Sequence, residues 1–414
     1  METTTVALMN EMVSTHVCDD IAFSILSKLP LKSFKRFECV RKSWSLLFEN
    51  HHFMTMIRSN FLSNSLRRSY YDGRSLILTE SKPDVFYSLA GERFRKKVKL
   101  DFSNPFEENY DIGIFGFGSI SGILCLHQYG DDDRDQIVLW NPTTQTIKLL
   151  PPSEVELAES FIPDEARDLH DVYVLARLRG FGYDLVINDY KVIRHIEVCM
   201  WPCGYSSDLE KLNNSDLSWP WEDFGPSWEI YSLRTNSWRK LYVDMPYSSD
   251  CTEGTQVYID GVCHWLCKKD KKHSPAAPCL VSFYLSNELF FITPISSDEA
   301  DCFDVKAKWI NLAALNGSIA LISFHKETTT FHISILGELG IMESWTKLFF
   351  VGPLPCVKHP IIVGSKGDIF FIRKEMEVAW FDLSTQMIEK LGYKAESLRC
   401  RIINYKENIL SFEE

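Results

Sequence analysis

The sequence repeats one strand-turn-strand layout, and this repeat limits the possible folds more than any other feature. Each copy has an apolar or aromatic strand end, a turn of Thr, Ser and Asn, and a second strand. The copies begin at Leu139 (LWNPTTQTIKLL), Ile230 (IYSLRTNSWRKL), Ser282 (SFYLSNELFFIT), Trp380 (WFDLSTQMIEKL) and, with a longer turn, Ser334 (SILGELGIMESWTKLF). From Ser282 onward they recur about every fifty residues, the spacing of four-stranded propeller blades. The repeat therefore predicts an all-β ring of small antiparallel sheets.

A second turn signal precedes each copy. These turns are Ser121-Gly122, Asn188-Asp189, Asp260-Gly261, Asn316-Gly317 and Lys366-Gly367. Five hairpin pairs are visible in this way, and a sixth can be assembled from the C-terminal RIINYKENILSF and the strands between Ser75 and Leu100. Such a join closes the ring and removes exposed strand edges. The pattern predicts six blades over residues 75–414, with seven as the alternative.

Two segments, 151–177 and 201–226, do not fit the repeat and are rich in Asp, Glu, Ser, Asn and Pro. We interpret them as surface-loop insertions, which gather on one face of a propeller. Trp219, Trp221 and Trp228 are candidate contacts for a protein target, because large aromatic rings dominate binding energies. The alternative is that these tryptophans cap the core of the propeller itself. The sequence leaves both interpretations open.

The N-terminal part has a different, helical pattern. Residues 1–16 carry no fold signal and are expected to form a flexible arm. Asp19 and Asp20 can cap a first helix, on which Ile21, Ile25 and Leu29 share one face until Pro30 ends it. Apolar residues continue at helical spacing at Phe34, Phe37, Val40, Trp44, Leu47 and Phe48, and a linker helix follows with Phe53, Ile57 and Phe61 on one face. A unit this small seldom folds unaided, so its surplus apolar surface needs another protein or another part of this chain.

The helical stretch resembles an F-box of the plant type. The matching residues are Ile25-Leu26, Leu29-Pro30, Lys32-Ser33, Arg36-Phe37, Cys39-Val40 and Lys42-Ser43-Trp44. Cys18 and Ser24 depart from the family, which usually has proline and glutamate there. In that family the F-box binds the Skp-type adaptor of a cullin-RING ubiquitin ligase. The resemblance therefore implies an adaptor-binding site made by Ile25, Leu29, Pro30, Leu31, Cys39, Val40 and Trp44.

The rest of the chain resembles the F-box-associated, kelch-like interaction domain of the S-locus F-box group. The resemblance is carried by motifs such as GSISGILCL, IVLWNPTTQTIKLLPP, WEIYSLRTNSWRKL and WFDLSTQMIEKLGY. It implies an α+β multidomain protein, with an F-box and linker helix at 17–62 and a propeller-like domain at 75–414. The implied function is that of a non-catalytic receptor in a Skp-cullin-F-box ubiquitin ligase. Its partners would be the adaptor, cullin and RING subunits and an unknown target protein.

An alternative from another class is a ligand-binding or hydrolytic propeller whose N-terminal helices are only structural. The net charge of −12 disfavours nucleic-acid binding. The sequence shows neither a signal-peptide layout nor a run of eighteen apolar residues, so we expect a soluble protein of the cytoplasm or nucleus, away from membranes.

Signals for chemistry are weak. Gly116 to Gly122 resembles a phosphate-binding loop but lacks the Lys-Ser/Thr ending, and no Gly-x-Ser-x-Gly elbow occurs. Cys263, Cys267, His273 and Cys279 are metal-ligand types, but their spacing is not that of a zinc knuckle, and buried thiols are the simpler interpretation. We therefore expect no catalytic residues, no cofactor and no metal.

Overall fold

The computed structural model describes the chain in segments. They are residues 19–27, 29, 37, 40–47, 50–57, 74–79, 85–91, 94–105, 111–116, 118–129, 136–158, 170–202, 227–246, 256–271, 274–295, 308–364 and 366–408. The strands of these segments form six four-stranded antiparallel sheets. The predicted arm at residues 1–16 lies outside the described residues.

The first three sheets, or blades, contain strands β1 to β11 and, in blade one, the closing strand β24. Blade one has the strand order β24-β1-β2-β3, and blades two and three hold β4 to β7 and β8 to β11. Their bounds are β1 Arg74–Thr79, β2 Phe86–Ala90, β3 Lys96–Lys99, β4 Asp111–Ile114, β5 Leu124–Tyr129, β6 Ile137–Asn141, β7 Thr146–Leu149, β8 His170–Asp184, β9 Asp189–Pro202, β10 Ser227–Ser232, β11 Ser237–Leu241 and β24 Arg401–Lys406.

Blades four, five and six each use four consecutive strands, β12 to β15, β16 to β19 and β20 to β23. Their bounds are β12 Gln256–Ile259, β13 Val262–Lys271, β14 Ser274–Tyr284, β15 Phe290–Pro294, β16 Lys308–Leu315, β17 Ser318–His325, β18 Thr330–Leu336, β19 Trp345–Val351, β20 Val357–Val363, β21 Asp368–Arg373, β22 Glu377–Asp382 and β23 Ile388–Lys394. Neighbouring blades meet through their first strands, as β12 meets β8 and β16, and β20 meets β16 and β24. These first strands therefore line a central channel.

The ring closes by the predicted pairing of the two ends of the domain. β24 pairs antiparallel with β1, and Ile77 lies opposite Ile403 in this register. Both side chains are fully buried. The predicted sixth blade and the choice of six over seven are confirmed.

The repeat corresponds to the hairpin between the third and fourth strands of a blade. The four copies with short turns place one residue at the same point of that turn with positive φ: Gln145, Asn236, Glu288 and Gln386. The turn residues that precede each copy of the repeat form the turn between the first and second strands of a blade. In two of these turns, Asp260-Gly261 and Asn316-Gly317, both residues have positive φ. Turns of this kind match the twist of paired strands, which explains the preference for Asn, Asp and Gly.

The core lies between the blades. Alternate side chains on a strand point to opposite sides, so Leu76 and Leu78 pack against blade six, whereas Ile77 packs against blade two. Six apolar clusters arise in this way among the described residues, one between each pair of neighbouring blades. Burial on both sides of each sheet explains why these strands read as almost continuous apolar runs.

The described helices are short. They are α1 Asp19–Leu26, α2 Lys42–Leu47 and α3 Glu154–Ala158, residues 51–57, and a 3-10 turn at Met342–Ser344. None of the helices in the described segments is long and apolar enough to cross a membrane. The domain boundaries at 17–62 and 75–414 stay predictions.

Candidate functional site

Helix α1 divides its apolar side chains between two faces. Ala22 and Leu26 are buried, while Ile21 and Ile25 are exposed, Ile25 with 52% of its surface accessible. Both pairs are four residues apart and so form two separate stripes on the helix. The sequence predicted the stripe of Ile21 and Ile25, and that stripe faces solvent.

The buried stripe of α1 packs on the propeller. Ala22 and Leu26 share one apolar cluster with Phe53 and Ile57 of the helical residues 51–57. The cluster continues into side chains on the strands of blades five and six. The rings of Phe23 and Phe53 meet edge to face at 5.0 Å. Asn50 caps the segment, because its Oδ1 accepts a hydrogen bond from the amide of Phe53 at 3.1 Å. The helices are thus attached to the protein's own strands by one face.

The stretch around α2 presents further apolar surface. Val40 is 62% exposed, and Leu46 is equally open. Trp44 is half-buried beside Phe37, with ring centroids 5.9 Å apart, and its indole Nε1 has no hydrogen-bond partner in the described part of the chain. Leu29 is also half-buried. Of the predicted adaptor-binding residues, Ile25 and Val40 are therefore exposed, whereas Pro30, Leu31 and Cys39 lie outside the described residues.

Trp228 lies inside the propeller. Its side chain is buried on β10, with the ring of Trp265 at 5.7 Å and that of His195 at 5.2 Å. For this residue the packing favours the core-capping alternative. Trp219 and Trp221 lie outside the described residues, so their proposed contact with a target stays a prediction.

A turn of three aliphatic residues protrudes between β8 and β9. Leu185, Val186 and Ile187 are exposed, Val186 by 73%. Asp184 fixes the turn, since its Oδ1 accepts from the amide of Val186 at 2.9 Å and its Oδ2 from Lys191 Nζ at 2.8 Å. Burial alone raises the pKa of Asp184, but Lys191 and the Val186 amide outweigh it and hold the pKa below its usual value. We call Leu185, Val186 and Ile187 the aliphatic turn.

The aliphatic turn is also tied to blade four, because Lys191 Nζ donates a second hydrogen bond to the carbonyl of Leu285 at 2.8 Å. It belongs to the face that carries the turns between first and second strands. We call this the hairpin face. β9 and β10 have their other ends, Pro202 and Ser227, at the opposite face. The sequence analysis did not single out this turn. Its signal is three consecutive aliphatic residues between the turn formers Asp184 and Asn188.

The central channel contains a cavity of about 190 Å³. Residues on or next to the first strand of every blade line it, among them Ser119, Arg179, Gln256, Ala314, Val363 and Asn404. The positions of Ala314 and Val363 at the ends of β16 and β20 set it in the half of the channel next to the hairpin face. Arg179 is only 5% exposed, and the described lining residues include no aspartate or glutamate.

A second arginine and a histidine accompany Arg179. Arg177 lies opposite His195 in the register of β8 and β9. The buried Nε of Arg177 has no hydrogen-bond partner among the described residues. Burial, followed by the charges of Arg179 and Arg177, lowers the pKa of His195 to about 4. The imidazole is therefore neutral at pH 7, and the two guanidinium groups carry the charge.

Blade three also holds a buried ion cluster. Arg194 binds Glu229 through Nε at 3.1 Å and Nη2 at 2.9 Å, and binds Glu156 through Nη1 at 3.0 Å and Nη2 at 2.7 Å. Its guanidinium lies 3.8 Å from the ring centroid of Trp238. Ser153 and Glu156 form a capping box at the start of α3, with the Ser153 amide 2.7 Å from Glu156 Oε2. The cluster fastens the segment after β7 to the sheet.

The three cysteines of the candidate metal-ligand set lie in the apolar core between blades three and four. Cys267 faces Cys279 across β13 and β14, and Cys263 packs in the same apolar cluster. Burial raises the pKa of the Cys263 thiol far above its usual range. His273 is outside the described residues. Within those residues no three His, Cys, Asp or Glu side chains come close enough to hold a metal ion.

Fold and geometry together define a six-bladed propeller with an apolar helical segment attached to it. The family model of the F-box associated beta propeller domain matches residues 85–408, and the chain belongs to this family. Similar proteins from Arabidopsis thaliana include F-box protein CPR1, 23% identical over 395 residues that cover 91% of this chain and 84% of that protein. F-box/kelch-repeat protein At3g23880 is 23% identical over 382 residues, which are 90% of each chain.

Among solved structures, a DUF4784 family protein from Bacteroides caccae is 9% identical, with a TM-score of 0.38 over 81% of this chain and 74% of that one. This likeness supports no further argument. The resemblance of the sequence to plant F-box proteins with an F-box-associated domain is confirmed by the family match and by these relatives.

Proposed function

We propose that this protein is the substrate receptor of a Skp-cullin-F-box ubiquitin ligase, without chemistry of its own. Its N-terminal helices dock on a Skp-type adaptor, which connects them to the cullin and RING subunits. Its propeller holds the target protein in the cytoplasm or nucleus. Holding target and ubiquitin-loaded subunit on one scaffold replaces a bimolecular encounter with an effectively local one.

The observation that carries this proposal is the set of large apolar side chains that the N-terminal helical segment leaves exposed. Ala22 and Leu26 already pack on the propeller, yet Ile21, Ile25, Val40 and Leu46 remain exposed. Four large aliphatic side chains on so short a segment are typical of a surface that another protein covers. The proposed adaptor site comprises Ile25, Leu29, Pro30, Leu31, Cys39, Val40 and Trp44.

The competing function is a ligand-binding or hydrolytic propeller whose helices are only structural. The packing of Ala22, Leu26, Phe53 and Ile57 on the strands supports a structural contribution. It accounts for one helix face only, because the structural role gives no reason for Ile25 and Val40 to be exposed. We therefore favour the receptor function.

Adaptor binding is tested by Ile25→Asp in the full-length chain. Ile25 is exposed, so the substitution leaves the fold intact, but a carboxylate in an apolar interface loses its hydration without a partner. We expect the affinity for a purified Skp-type adaptor to fall at least about tenfold, measured by calorimetry. Val186→Asp is the matched control, since it places the same charge on an equally exposed aliphatic position of the aliphatic turn.

Wild-type affinity in the Ile25→Asp variant, or no affinity in the wild-type chain, would show that the helices do not serve this purpose. Loss of adaptor binding in Val186→Asp as well would show that the effect is not local to the helices.

For target capture we propose the aliphatic turn, in addition to Trp219 and Trp221. Leu185, Val186 and Ile187 form a rigid apolar protrusion, because Asp184 and Lys191 hold its base. Trp228 is kept as a member of the sequence-based set, but its burial makes replacement a test of folding rather than of contact.

The two target surfaces can be separated by proximity labelling. Every variant carries Ile25→Asp, so that captured targets are not degraded. Val186→Asp is compared with a Trp219→Ala and Trp221→Ala double variant. The surface that binds the target is the one whose change removes labelled proteins, and a labelled set unaffected by either change would refute both.

A further inference from the structure

The strands of blade one differ in charge from the chain as a whole. The chain has a net charge of −12. The strands β24, β1, β2 and β3 nevertheless contain six lysines or arginines and no aspartate or glutamate. The six are Arg74, Lys96, Lys97, Lys99, Arg401 and Lys406. Cations gathered in one blade create a local positive field, which attracts anionic groups.

The solvent-exposed part of this charge lies along the outer strand. Arg95, directly before β3, and Lys96 and Lys99 on β3 are exposed. In the register with β2, Lys96 lies opposite Ala90 and Lys99 lies opposite Tyr87. Oppositely charged pairs on neighbouring strands are a common source of stability. Here β2 places no carboxylate opposite the exposed lysines, so it does not neutralise them.

β3 is also the edge of its sheet, because it pairs with β2 alone among the described strands. The Leu100 amide donates to the carbonyl of Phe86 at 2.8 Å, which makes these two residues a hydrogen-bonded pair. Such pairs alternate with non-bonded pairs along an antiparallel ladder, so the main-chain groups of Lys99 point away from β2. An extended peptide can add to a sheet edge of this kind.

Contacts with blade six hold this edge in place. The hydroxyl of Tyr393 donates a hydrogen bond to the carbonyl of Arg95 at 2.9 Å. Lys97 Nζ lies 3.8 Å from the ring centroid of Tyr87 and 5.3 Å from that of Tyr393. Lys97 is therefore engaged with the blade itself, and the start of the strand is fixed. A surface that is already ordered loses little conformational freedom when a partner binds, which favours affinity.

Lysines on an edge strand also have a protective role, since they discourage neutral strands of other chains from pairing there. This role explains Lys96 and Lys99. It gives no reason for Arg401 and Lys406 on β24, at the other side of the sheet, or for the lack of carboxylates on all four strands. A charge that excludes neutral strands still admits a strand of the opposite charge.

We propose that β3 is a docking edge for an extended acidic segment of a partner protein, whose carboxylates meet Arg95, Lys96 and Lys99. Val98, which is 45% exposed, adds an apolar contact between the cations. A nucleic acid would use the charge but not the sheet edge, so the edge favours a peptide. The inference goes beyond the proposed receptor function and involves neither the exposed helices nor the aliphatic turn, so either can fail without the other.

The test uses the full-length protein and the fluorescence anisotropy of labelled probes at low and high salt. The acidic probe is a short peptide of alternating glutamate and threonine, and its neutral counterpart has glutamine in place of glutamate. A single-stranded thymidine oligonucleotide is the third probe. We expect the acidic peptide to bind at least about fivefold more tightly than the neutral one, because each exposed ion pair contributes a modest amount. This preference should weaken as the salt concentration rises.

A triple variant locates the site. Arg95→Gln, Lys96→Gln and Lys99→Gln together should weaken the binding of the acidic peptide at least about fivefold and remove its preference over the neutral peptide. Thermal unfolding without peptide shows whether the variant is folded. If it is not, Lys99→Gln alone decides, with an expected loss of about twofold.

The matched control makes the same change of net charge at exposed lysines of blades three, five and six. Its substitutions are Lys240→Gln, Lys347→Gln and Lys374→Gln. This control should bind the acidic peptide as tightly as the wild-type protein does, because the long-range charge of the chain is equal in the two triple variants and only the local contacts differ.

Four results would overturn the proposal. The first is that the acidic peptide does not bind at about 1 mM in low salt, or binds no better than the neutral peptide. The second is that the folded β3 variant binds it as tightly as the control does. The third is that the oligonucleotide binds more tightly than the peptide and loses affinity in the β3 variant, since the edge would then be a nucleic-acid site. The fourth is that the wild-type protein self-associates in sedimentation and the β3 variant does not, since the edge would then be an interface between copies.

Discussion

Arg194 should be one of the most sensitive positions of the propeller. Arg194→Met keeps the length of the side chain and its contact with Trp238 but removes four hydrogen bonds of 2.7 to 3.1 Å to two carboxylates. Glu229 is the carboxylate that stays buried without a compensating charge, because its side chain is only 5% exposed. The side chain of Glu156 is 20% exposed and can be hydrated again. Breaking a buried ion pair on one side costs about 3–5 kcal/mol.

Variants of Glu229 show how much of this loss of stability comes from the carboxylate that is left unpaired. Glu229→Gln leaves Arg194 with Glu156, so we expect a loss of only about 1–2 kcal/mol. The double variant Arg194→Met and Glu229→Gln removes the uncompensated charge and should be more stable than Arg194→Met alone. Burial already raises the pKa of Glu229. The deficit of Arg194→Met should therefore shrink as the pH falls and Glu229 takes up a proton.

The assay is urea unfolding followed by tryptophan fluorescence, with stability compared at unchanged m-value. A loss below about 1 kcal/mol in Arg194→Met would refute the reasoning. A double variant no more stable than Arg194→Met would also refute it, since the cost would then not come from the buried carboxylate.

Three further predictions concern the fold. Burial lowers the pKa of His264 to about 3 in the folded protein. The contribution of His264 to the free energy of unfolding is therefore complete above the unfolded pKa of about 6.5 and falls by about 1.4 kcal/mol for each pH unit below that value. His264→Gln should reduce the slope of the unfolding free energy against pH. Ile403→Ala should cost about 2–5 kcal/mol in urea unfolding, because the side chain is fully buried in the closing strand, whereas Leu149→Ala on an outer strand should cost less than about 1 kcal/mol. Gly182→Ala would place a Cβ 2.5 Å from Leu285 Cδ1 and should lower stability by about 1–3 kcal/mol; Gly118→Ala, whose Cβ would be 3.5 Å from the nearest atom, is the control.

The fold could be predicted because its determinants are local. Turn residues such as Asp260-Gly261 and Asn316-Gly317 adopt positive φ, and the sequence marks them directly. The closing strand could be predicted because five hairpin pairs were complete. The strands between Ser75 and Leu100 and the C-terminal strand were then left without partners, and they could complete a sixth blade together. The helix face was harder, since Ile21 and Ile25 repeat as regularly as Ala22 and Leu26 do. Periodicity shows that stripes exist but not which stripe packs inward.

The sites could not be predicted in the same way, because they combine residues that are distant in sequence. Glu156 and Arg194 are 38 residues apart, and their pairing depends on where the segment after β7 returns to the sheet. Arg179 becomes part of a cavity only when six first strands surround one axis. Arg177 and Arg179 within an apolar strand were a visible signal, but their surroundings follow from ring closure.

The pairing of β24 with β1 has a consequence for synthesis of the chain. β1 leaves the ribosome before the other blade strands, yet its partner is the last described strand to follow. Until then Ile77 lacks Ile403, and blade one presents an open edge on which other chains can add. A product that stops short of residue 401 lacks β24, so blade one keeps this unpaired edge and remains able to pair with the strands of other chains.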